Sequence, residues 1–388
     1  MRVGVGELGA RRQQEGIDDV GEERSRARRA PLGREPDDAL VDAAQLAELA
    51  LGQPADAARK TAPTHGEPGR YHGRPRRPGR DRLSRGMRAT SVLVTGASGF
   101  VGSRLVAELA ARGARVAALS REARSAGEPA MRWLRGDLAE AGTVDRIFAE
   151  TAPELVFHLA SWVSGRRELE RVRPAFEANR AAAVNLLVAA TRAGCRRVVL
   201  AGSMEEPDLR SGEAPGSPYA AAKAAQALYA RFFRALYGTP VVVARIFMVY
   251  GPGQRDVAKV VPYSILRGLE GKAAELASGA RPVDWIHVDD VARGLAALGT
   301  APGIDGETLD LGRGETVTVG EIAARIAAKL GAPAPALGAR PDRPLEAVRV
   351  ADPERTRAAT GFRPEVALDA GLDSTIAWYR AERAAGRL

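Results

Sequence analysis

The sequence predicts an α/β protein built on a doubly wound parallel sheet, with helices on both faces of the sheet. Two observations predict this class. From residue 91 onward, short β-branched runs alternate with segments in which apolar residues recur at helical spacing. The first run is followed by a glycine-rich turn and then by a helical segment, an order typical of the opening unit of such folds.

The first strand, "SVLVTG", leads into a turn that contains Gly96, Gly99 and Gly102, and the following "RLVAELAARG" has helical spacing. This order brings backbone N–H groups and the positive end of a helix dipole to one place, where small side chains allow close approach. The pattern therefore predicts a site for the pyrophosphate of a dinucleotide.

The second strand, "RVAALSRE", ends on the residues that predict which dinucleotide binds. An NAD-binding protein usually has an acidic residue there to hold the ribose 2′-hydroxyl. Ser120 and Arg121 occupy this place, and a guanidinium fits a 2′-phosphate better than a diol. We therefore expect NADP(H) rather than NAD(H), while Glu122 is close enough to keep NAD(H) open.

Four more strands and a long helix continue the pattern. The third strand is predicted in "MRWLRGDL" (131–138), where Asp137 is placed to meet an adenine ring, and the fourth in "PELVFHLAS" (153–161). The segment "FEANRAAAVNLLVAATRAG" predicts a helix that ends at Gly194, and "RRVVLAGS" and "PVVVARIFMVYG" predict the fifth and sixth strands. Ligands of such sheets bind at the carboxyl ends of the strands.

The residues that decide the chemistry follow the fifth strand. Ser203 lies at its carboxyl end, and "SPYAAAKAAQALYARFF" begins a helix with Ser217 as its N-cap. Tyr219 and Lys223 are four residues apart, so both side chains lie on one face of this helix. A phenol needs a nearby cation to exchange protons at neutral pH. We expect Tyr219 to be the acid/base of a hydride-transfer reaction, with Lys223 stabilising its phenolate and Ser203 binding the same oxygen.

Composition favours a soluble protein of the cytoplasm. The formal charge is +9, but the basic residues are spread along the chain, which favours an ordinary surface over a nucleic-acid-binding one. Cys195 is the only cysteine, so an internal disulfide is excluded, and no Cys/His cluster has metal-ligand spacing. We expect no metal, no membrane span and no signal peptide.

Residues 1–86 have a different character from the rest of the chain. Tyr71 is their only aromatic residue, and arginines alternate with Gly and Pro between residues 70 and 85. We expect these residues to be disordered, or to be upstream sequence that precedes a natural start at Met87. A nucleic-acid-binding arm is the third interpretation.

Taken together, the motifs after Met87 resemble those of the extended short-chain dehydrogenase/reductases, in particular the NAD(P)-dependent epimerase/dehydratase group that acts on nucleotide sugars. The matching segments, in family order, are "TGASGFVG", "FHLAS", "NRAAAVNLL", "VVLAGS", "SPYAAAK", "ARIFMVYGPGQ" and "VDWIHVDDVA". The resemblance implies a Rossmann-type, NAD(P)-binding domain over residues 87–251. Residues 252–388 would then be mainly a smaller substrate-binding lobe, interleaved with the Rossmann core.

The resemblance also implies roles by position. It assigns the proton and hydride chemistry to Ser203, Tyr219 and Lys223, and it gives Asn179 a supporting role from its helix. The implied cofactor-binding residues are Gly96, Ser98, Gly99, Phe100, Val101, Gly102, Arg121, Asp137, Leu138, Leu159, Ala160, Asn179, Tyr219 and Lys223.

Substrate and partner expectations follow from the same resemblance. The diphosphate of a nucleotide sugar is expected near Arg281 and near one arginine of "ARPDRP", Arg340 or Arg343. Family members commonly dimerise through the two helices that carry Asn179 and Tyr219, so we expect a homodimer.

Two departures from the family pattern bear on the substrate. Relatives often read "SSxxVYG" after the fifth strand, whereas this chain reads "GSMEEPD". Dehydratase-type relatives place a base two residues after the catalytic Ser or Thr, and Glu205 falls there, although a plain surface glutamate is an equal interpretation. Met248 stands where relatives with "RxFNxYG" have Asn against the sugar nucleotide, which puts recognition of a galactose-type substrate in doubt.

Three functions are compatible with these residues. The first is an enzyme that epimerises, dehydrates or reduces a nucleotide sugar. The second is an NADP(H)-sensing regulator on the same fold, but such relatives usually lack the Tyr and Lys pair. The third is a reductase of a non-sugar ketone, which the arginines of the C-terminal region make less favourable.

Overall fold

The computed structural model describes residues 87–122, 131–208, 211–342, 346 and 348–388. Within them the strands are β1 (Ser91–Thr95), β2 (Arg115–Ser120), β3 (Met131–Arg135), β4 (Leu155–His158), β5 (Arg197–Ser203), β6 (Val241–Ile246), β7 (Met248–Tyr250), β8 (Pro282–Val283), β9 (Trp285–His287), β10 (Thr308–Leu311) and β11 (Val317–Thr318). The α-helices are α1 (Phe100–Ala111), α2 (Ala141–Thr151), α3 (Val172–Phe176), α4 (Ala182–Ala193), α5 (Pro218–Tyr237), α6 (Val260–Leu269), α7 (Val288–Thr300), α8 (Val319–Leu330), α9 (Pro353–Thr360) and α10 (Leu368–Ala384). The predictions for residues 1–86 and for Arg343 lie outside the described residues.

One seven-stranded sheet positions the candidate site, in the order β3-β2-β1-β4-β5-β6-β10. Every neighbouring pair in it is parallel. The strand order reverses between β1 and β4, so the crevice at their carboxyl ends is the topological switch point where such sheets bind ligands. The predicted doubly wound parallel sheet is confirmed.

The observed strands correct the predicted ones in three respects. The third and fourth strands end at Arg135 and His158, not at residues 138 and 161, because the chain beyond each of them turns out of the sheet. The predicted sixth strand divides into β6, in the main sheet, and β7, which pairs with β9 in a separate two-stranded sheet. The sequence pattern misses β10, since four residues are too few to establish a period.

The predicted long helix is continuous but not uniform. A π-helical turn, Glu177–Ala181, separates α3 from α4, and the extra residue that such a turn accommodates is often found at functional sites. The helix ends where the sequence predicts, at Gly194, which adopts a left-handed conformation with a φ of 63°.

Two hydrophobic clusters cover the two faces of the main sheet. One packs α1 and α7 against the first face, through side chains such as those of Leu105 and Val291. The other packs α2, α4 and α5 against the opposite face, through Ile147, Leu186 and Phe233. The helices on both faces account for the continuous apolar runs of the central strands, which are buried on both sides.

A third hydrophobic cluster lies in the C-terminal half. Here β8 pairs with β11 antiparallel, and side chains of α6, α8 and α10 surround Tyr250, Trp285 and Tyr379. The predicted boundary between residues 251 and 252 stays a prediction. Among the described residues, none of the helices has the length and apolar composition that a membrane-spanning segment needs.

Candidate active site

A tight glycine turn joins β1 to α1. Gly96 has a φ of +68°, and a Cβ on it would lie 2.6 Å from the backbone nitrogen of Ala160. A Cβ on Gly102 would lie 2.0 Å from the carbonyl oxygen of Gly96. The absence of side chains at these two glycines therefore lets the turn, the start of α1 and the segment after β4 pack directly against one another.

The N-terminus of α1 opens onto this turn. Its N-cap is Gly99, which has no side chain to accept the first N–H groups of the helix. A Cβ on Gly99 would meet only the Gly96 oxygen, at 3.2 Å. The N–H groups and the positive helix end therefore suit an anion such as a pyrophosphate. Ser98, Phe100 and Val101 belong to the same turn and the start of α1.

A cavity of about 430 Å³ lies beside the carboxyl ends of β2 and β3. Arg121 and Asp137, the predicted partners of the 2′-phosphate and the adenine, both line it. Arg135 lines it as well and was not predicted; it ends β3 opposite Ser120, a register that the sequence does not reveal. Leu138, by contrast, is buried in the core.

The ends of β1 and β4 are bonded to each other at the switch point. Nδ1 of the buried His158 lies 2.8 Å from Oγ1 of Thr95. Burial, with a smaller contribution from the Lys223 ammonium, lowers the pKa of His158 to about 3, so the imidazole is neutral. The N–H groups of Leu159 and Ala160 donate to the backbone and side-chain oxygens of Thr95, both at 3.2 Å. The two predicted cofactor contacts are thus held in fixed positions.

Asn179 points inward from the π-helical turn and is fully buried. Its Oδ1 accepts the hydroxyl of Ser161 and the N–H of Trp162, both at 2.8 Å, and its Nδ2 donates to the Trp162 carbonyl at 3.1 Å. These bonds fix the loop after β4. Ser161 in turn lies beside the Tyr219 hydroxyl, so Asn179 supports the site through Ser161.

Tyr219 and Ser203 lie together at the carboxyl-terminal edge of the main sheet. The Ser217 hydroxyl accepts the N–H of Ala220 at 3.1 Å and caps α5 as predicted, which places Tyr219 in the first turn of that helix. The Tyr219 hydroxyl lies close to the Ser203 hydroxyl at the end of β5. Burial raises the pKa of the phenol, and the neighbouring Ser203 and Ser161 hydroxyls partly oppose that shift. The phenol is therefore protonated at neutral pH.

Lys223 lies one turn further along α5 and is 2% exposed. Its Nζ donates to the carbonyl oxygen of Ala201 at 2.6 Å and to Oε1 of Gln226 at 3.2 Å, and it lies 5.9 Å from the centroid of the Tyr219 ring. Burial lowers the pKa of the ammonium to about 8, and Glu206 opposes this shift. Gln226 and Glu206 were not predicted, because nothing in their spacing signals a buried polar contact.

A cleft of about 630 Å³ lies between the segments that follow β4 and β5 and the C-terminal half of the chain, from Met248 onward. Glu205, Arg281 and Arg340 all line it, as does Met248. Arg281 is paired with Glu346 at 3.2 Å, and Arg340 donates to the Tyr263 hydroxyl at 3.1 Å. The structure therefore brings the predicted base candidate and two predicted diphosphate ligands to one cleft, while Arg121 lies at the other cavity. Arg166, Arg167 and Lys259 also line the cleft and were not predicted.

Comparison with known proteins identifies the family to which this site belongs. The sequence pattern of the NAD-dependent epimerase/dehydratase family matches residues 92–312, a range that contains the glycine turn and the residues Ser203, Tyr219 and Lys223. The chain belongs to this family. As a member of the NAD-dependent epimerase/dehydratase family it is an NAD(P)-dependent enzyme, and the predicted family resemblance is confirmed.

This chain matches several named relatives over almost their whole length. A dTDP-glucose 4,6-dehydratase of Actinoplanes sp. is 30% identical over 318 residues, which are 75% of this chain and 98% of the relative. A UDP-glucose 4-epimerase of Mycolicibacterium smegmatis is 31% identical over 318 residues, 74% of this chain and 98% of the relative. A dTDP-4-dehydro-6-deoxy-D-allose reductase of a Streptomyces species is 31% identical and covers 76% and 97%.

Solved structures agree with the fold. An epimerase of Methanothermobacter thermautotrophicus superposes with a TM-score of 0.70 at 27% identity, covering 78% of this chain and 95% of its own. The UDP-glucose 4-epimerase of Thermus thermophilus, in complex with NAD, has a TM-score of 0.66 at 31% identity and covers 74% and 98%.

Proposed function

We propose that this epimerase/dehydratase-family enzyme acts on a nucleotide sugar by hydride transfer, with Tyr219 as its acid/base. The observation that carries the proposal is the contact of the Tyr219 hydroxyl with Ser203 and Ser161, one helical turn from the buried Lys223 ammonium. The names of the relatives, which act on dTDP-glucose, UDP-glucose and a dTDP-linked keto sugar, support a nucleotide sugar as the substrate.

The residues present fit a dinucleotide. The side-chain-free turn at Gly96, Gly99 and Gly102 would hold the pyrophosphate through backbone N–H groups of α1. When bound, the nicotinamide supplies the hydride acceptor or donor. At the adenosine end, Arg121 and Arg135 line one cavity, and two guanidinium groups favour a 2′-phosphate, so we propose NADP(H) as the preferred cofactor. NAD(H) is the alternative, since the Thermus thermophilus relative was solved with NAD.

Proton transfer is proposed to occur at the Tyr219 oxygen. In the reducing direction the neutral phenol donates its proton to a carbonyl oxygen of the sugar, and in the oxidising direction the phenolate removes a proton from a hydroxyl. The Lys223 ammonium stabilises the phenolate electrostatically. Ser203 accepts the N–H of Glu205 at 3.1 Å, which leaves its own hydroxyl proton available to the substrate oxygen.

The substrate is proposed to lie in the cleft between the two halves. Arg281 and Arg340 would bind the diphosphate, since guanidinium forks match its oxygens. Glu205 lines the same cleft with Ser217, where a carboxylate can remove a proton from a sugar carbon. Dehydration requires that additional base, whereas epimerisation and ketoreduction do not.

A second copy of the chain is proposed to cover α3 and α5. Leu228, Phe232 and Leu236 recur every four residues along α5 and are 54%, 42% and 66% exposed, so they form one apolar stripe on the helix surface. Phe176, on α3, is 46% exposed. An apolar surface on the two predicted dimer helices fits a homodimer.

Ligand-dependent stabilisation tests this function. The purified protein is heated with NAD(H) or NADP(H) and with each member of a panel of nucleotide sugars, and mixtures that raise the melting temperature are examined for product by mass spectrometry. A ligand present at 100 times its dissociation constant should stabilise the protein by about 2.7 kcal/mol. If the dinucleotide stabilises the protein but no nucleotide sugar is stabilising or converted, the enzyme acts on another substrate or serves as a sensor, and the proposal is wrong.

A further inference from the structure

A buried carboxylate, that of Glu206, holds the backbone of Ser203 from both sides. Oε1 of Glu206 accepts the Ser203 N–H at 2.7 Å, and the Glu206 N–H donates to the Ser203 carbonyl oxygen at 3.1 Å. Glu206 is 7% exposed. Its neighbour Glu205 is among the described residues that line the cleft, and Glu206 is not. Glu206 therefore acts on the site through its hydrogen bonds to the Ser203 backbone, and not by contact with a substrate in the cleft.

The space for this carboxylate depends on Gly202. A Cβ at residue 202 would lie 2.7 Å from Oε1 of Glu206 and 2.8 Å from Cγ1 of Val243, which is too close for either contact to persist. The related "SSxxVYG" motif has Ser and Val at the positions of Gly202 and Glu206, so this chain departs from the motif at both. The two departures fit each other, because the loss of one side chain makes room for the other.

Glu206 and Lys223 are both buried at the end of β5, where Glu206 accepts the N–H of Ser203 and Lys223 donates to the carbonyl oxygen of Ala201, two residues earlier in the strand. Both hydrogen bonds of Lys223 go to uncharged acceptors, Ala201 and Gln226, so they do not neutralise its charge. Glu206 supplies the opposing charge that raises the pKa of Lys223 against the effect of burial. Burial in turn raises the pKa of Glu206, and the Ser203 N–H and Lys223 lower it.

Other charged and titratable groups also face this pair. Arg245 from β6 and Arg349 from the segment before α9 lower the pKa of Glu206, and the ammonium of Lys223 lowers the pKa of the buried His158 on β4. His158 is uncharged at neutral pH. Among these groups, Glu206 supplies the charge that opposes the effect of burial on the pKa of Lys223.

We propose that Glu206 is a positioning residue, which fixes Ser203 through its backbone and acts as the buried counter-charge of the Lys223 ammonium. The assignment of Ser203 and Lys223 to catalysis rests on the proposed function, but the contact itself does not. A protonated Lys223 stabilises the Tyr219 phenolate, so this carboxylate would set the upper pH limit of activity without touching the substrate.

Direct titration of Lys223 tests the proposal without a substrate. The chain has five lysines, so protein labelled with ¹³C at the lysine ε-carbons gives few NMR signals, and Lys223→Arg identifies the one from Lys223. We expect a wild-type midpoint near pH 8. Glu206→Gln keeps an acceptor for the Ser203 N–H but removes the charge, and it should lower the midpoint by about one pH unit or more. Glu206→Asp keeps the charge and should restore most of that difference.

Asp290→Asn is the matched control. Asp290 is also fully buried and accepts two backbone N–H groups, those of Glu365 and Val366, at 2.9 and 3.0 Å. It lies on α7, which packs on the opposite face of the sheet from α5. This variant should leave the Lys223 midpoint unchanged, even where it lowers the melting temperature.

The outcomes separate this inference from the proposed function. An unchanged Lys223 midpoint in Glu206→Gln overturns the inference, whether or not the enzyme turns over a nucleotide sugar. A lowered midpoint together with an alkaline limb of the pH–rate profile that moves to lower pH supports it. A lowered midpoint in a protein that converts no nucleotide sugar supports the electrostatic role and contradicts the proposed function alone. Should Glu206→Gln fail to fold, a Glu206→Asp midpoint equal to that of wild type still supports the counter-charge, and one far below it contradicts it.

Discussion

Of the single Gly→Ala substitutions in the glycine turn, Gly102→Ala is predicted to damage the dinucleotide site most. The new Cβ would lie 2.0 Å from the Gly96 oxygen, 2.8 Å from the Gly96 carbonyl carbon and 2.9 Å from Cα of Ala97. All three atoms belong to the backbone of the turn. No rotamer change can relieve these contacts, so the turn and α1 must move apart by about 1 Å or more.

Two magnitudes follow from that displacement. Overpacking of a rigid site destabilises a protein by about 1–3 kcal/mol. Loss of one hydrogen bond to a charged pyrophosphate removes about 1.5–3 kcal/mol of binding free energy, which lowers dinucleotide affinity about 10- to 100-fold. Gly102→Ala should therefore reduce both the unfolding free energy, measured by urea titration, and the dinucleotide affinity, measured by calorimetry.

Gly142→Ala provides the matched control for the same chemical change. Gly142 lies in α2, and a Cβ built on it meets no atom within 4 Å. Alanine there should stabilise the protein by about 0.4–1 kcal/mol, because it restricts the unfolded chain. Its dinucleotide affinity should equal that of wild type. Wild-type affinity and stability in Gly102→Ala would refute the assignment of this turn to the pyrophosphate.

Three further predictions concern the cofactor, the assembly and the buried lysine. Arg135→Gln should weaken NADP(H) binding about 10-fold or more while changing NAD(H) binding little. Equal losses of affinity for both dinucleotides, measured by fluorescence titration, would place Arg135 away from the 2′-phosphate. Arg121→Asp should shift the cofactor preference further toward NAD(H). Leu236→Glu puts a charge into the apolar stripe of α5 and should convert a dimer into monomers in analytical ultracentrifugation, whereas a dimer that persists would show that another surface is used. Burial lowers the pKa of Lys223 from 10.5 to about 8, so between these pH values the unfolded chain binds one more proton than the folded chain, and the unfolding free energy rises with pH. Wild type should therefore gain up to about 3 kcal/mol relative to Lys223→Met between pH 8 and 10.5. Parallel stability curves for the two proteins would contradict this.

The fold could be predicted from the sequence because its signals are local. The glycines after β1, the β-branched strands and the N-cap at Ser217 each act within a few residues of themselves. What could not be predicted depends on contacts between segments distant in the chain. β10 is too short to show a period, and the division of the sixth strand at Phe247 depends on β9, about forty residues later.

The same distinction holds within the candidate site. The spacing of Tyr219 and Lys223 is a property of one helix, and it predicts their common face. The positions of Arg135 and Gln226 depend on strand register and on the packing of α5 over β5, which no motif encodes. The burial of Glu206 could not be predicted for another reason, since an acidic loop residue is usually solvated. Only the space left by Gly202 makes its burial understandable.

Turnover by Tyr219→Phe tests the central claim most directly. The substitution removes one oxygen and keeps the ring, which is 7% exposed in a packed environment, so dinucleotide affinity should stay within a few-fold of wild type. Conversion of the nucleotide sugar identified by stabilisation should fall about 10²- to 10⁴-fold, the usual effect of removing a positioned acid/base. Single-turnover rates measured with saturating dinucleotide give both values in one experiment. A Phe variant that binds dinucleotide normally and keeps near wild-type turnover would mean that Tyr219 does not transfer the proton.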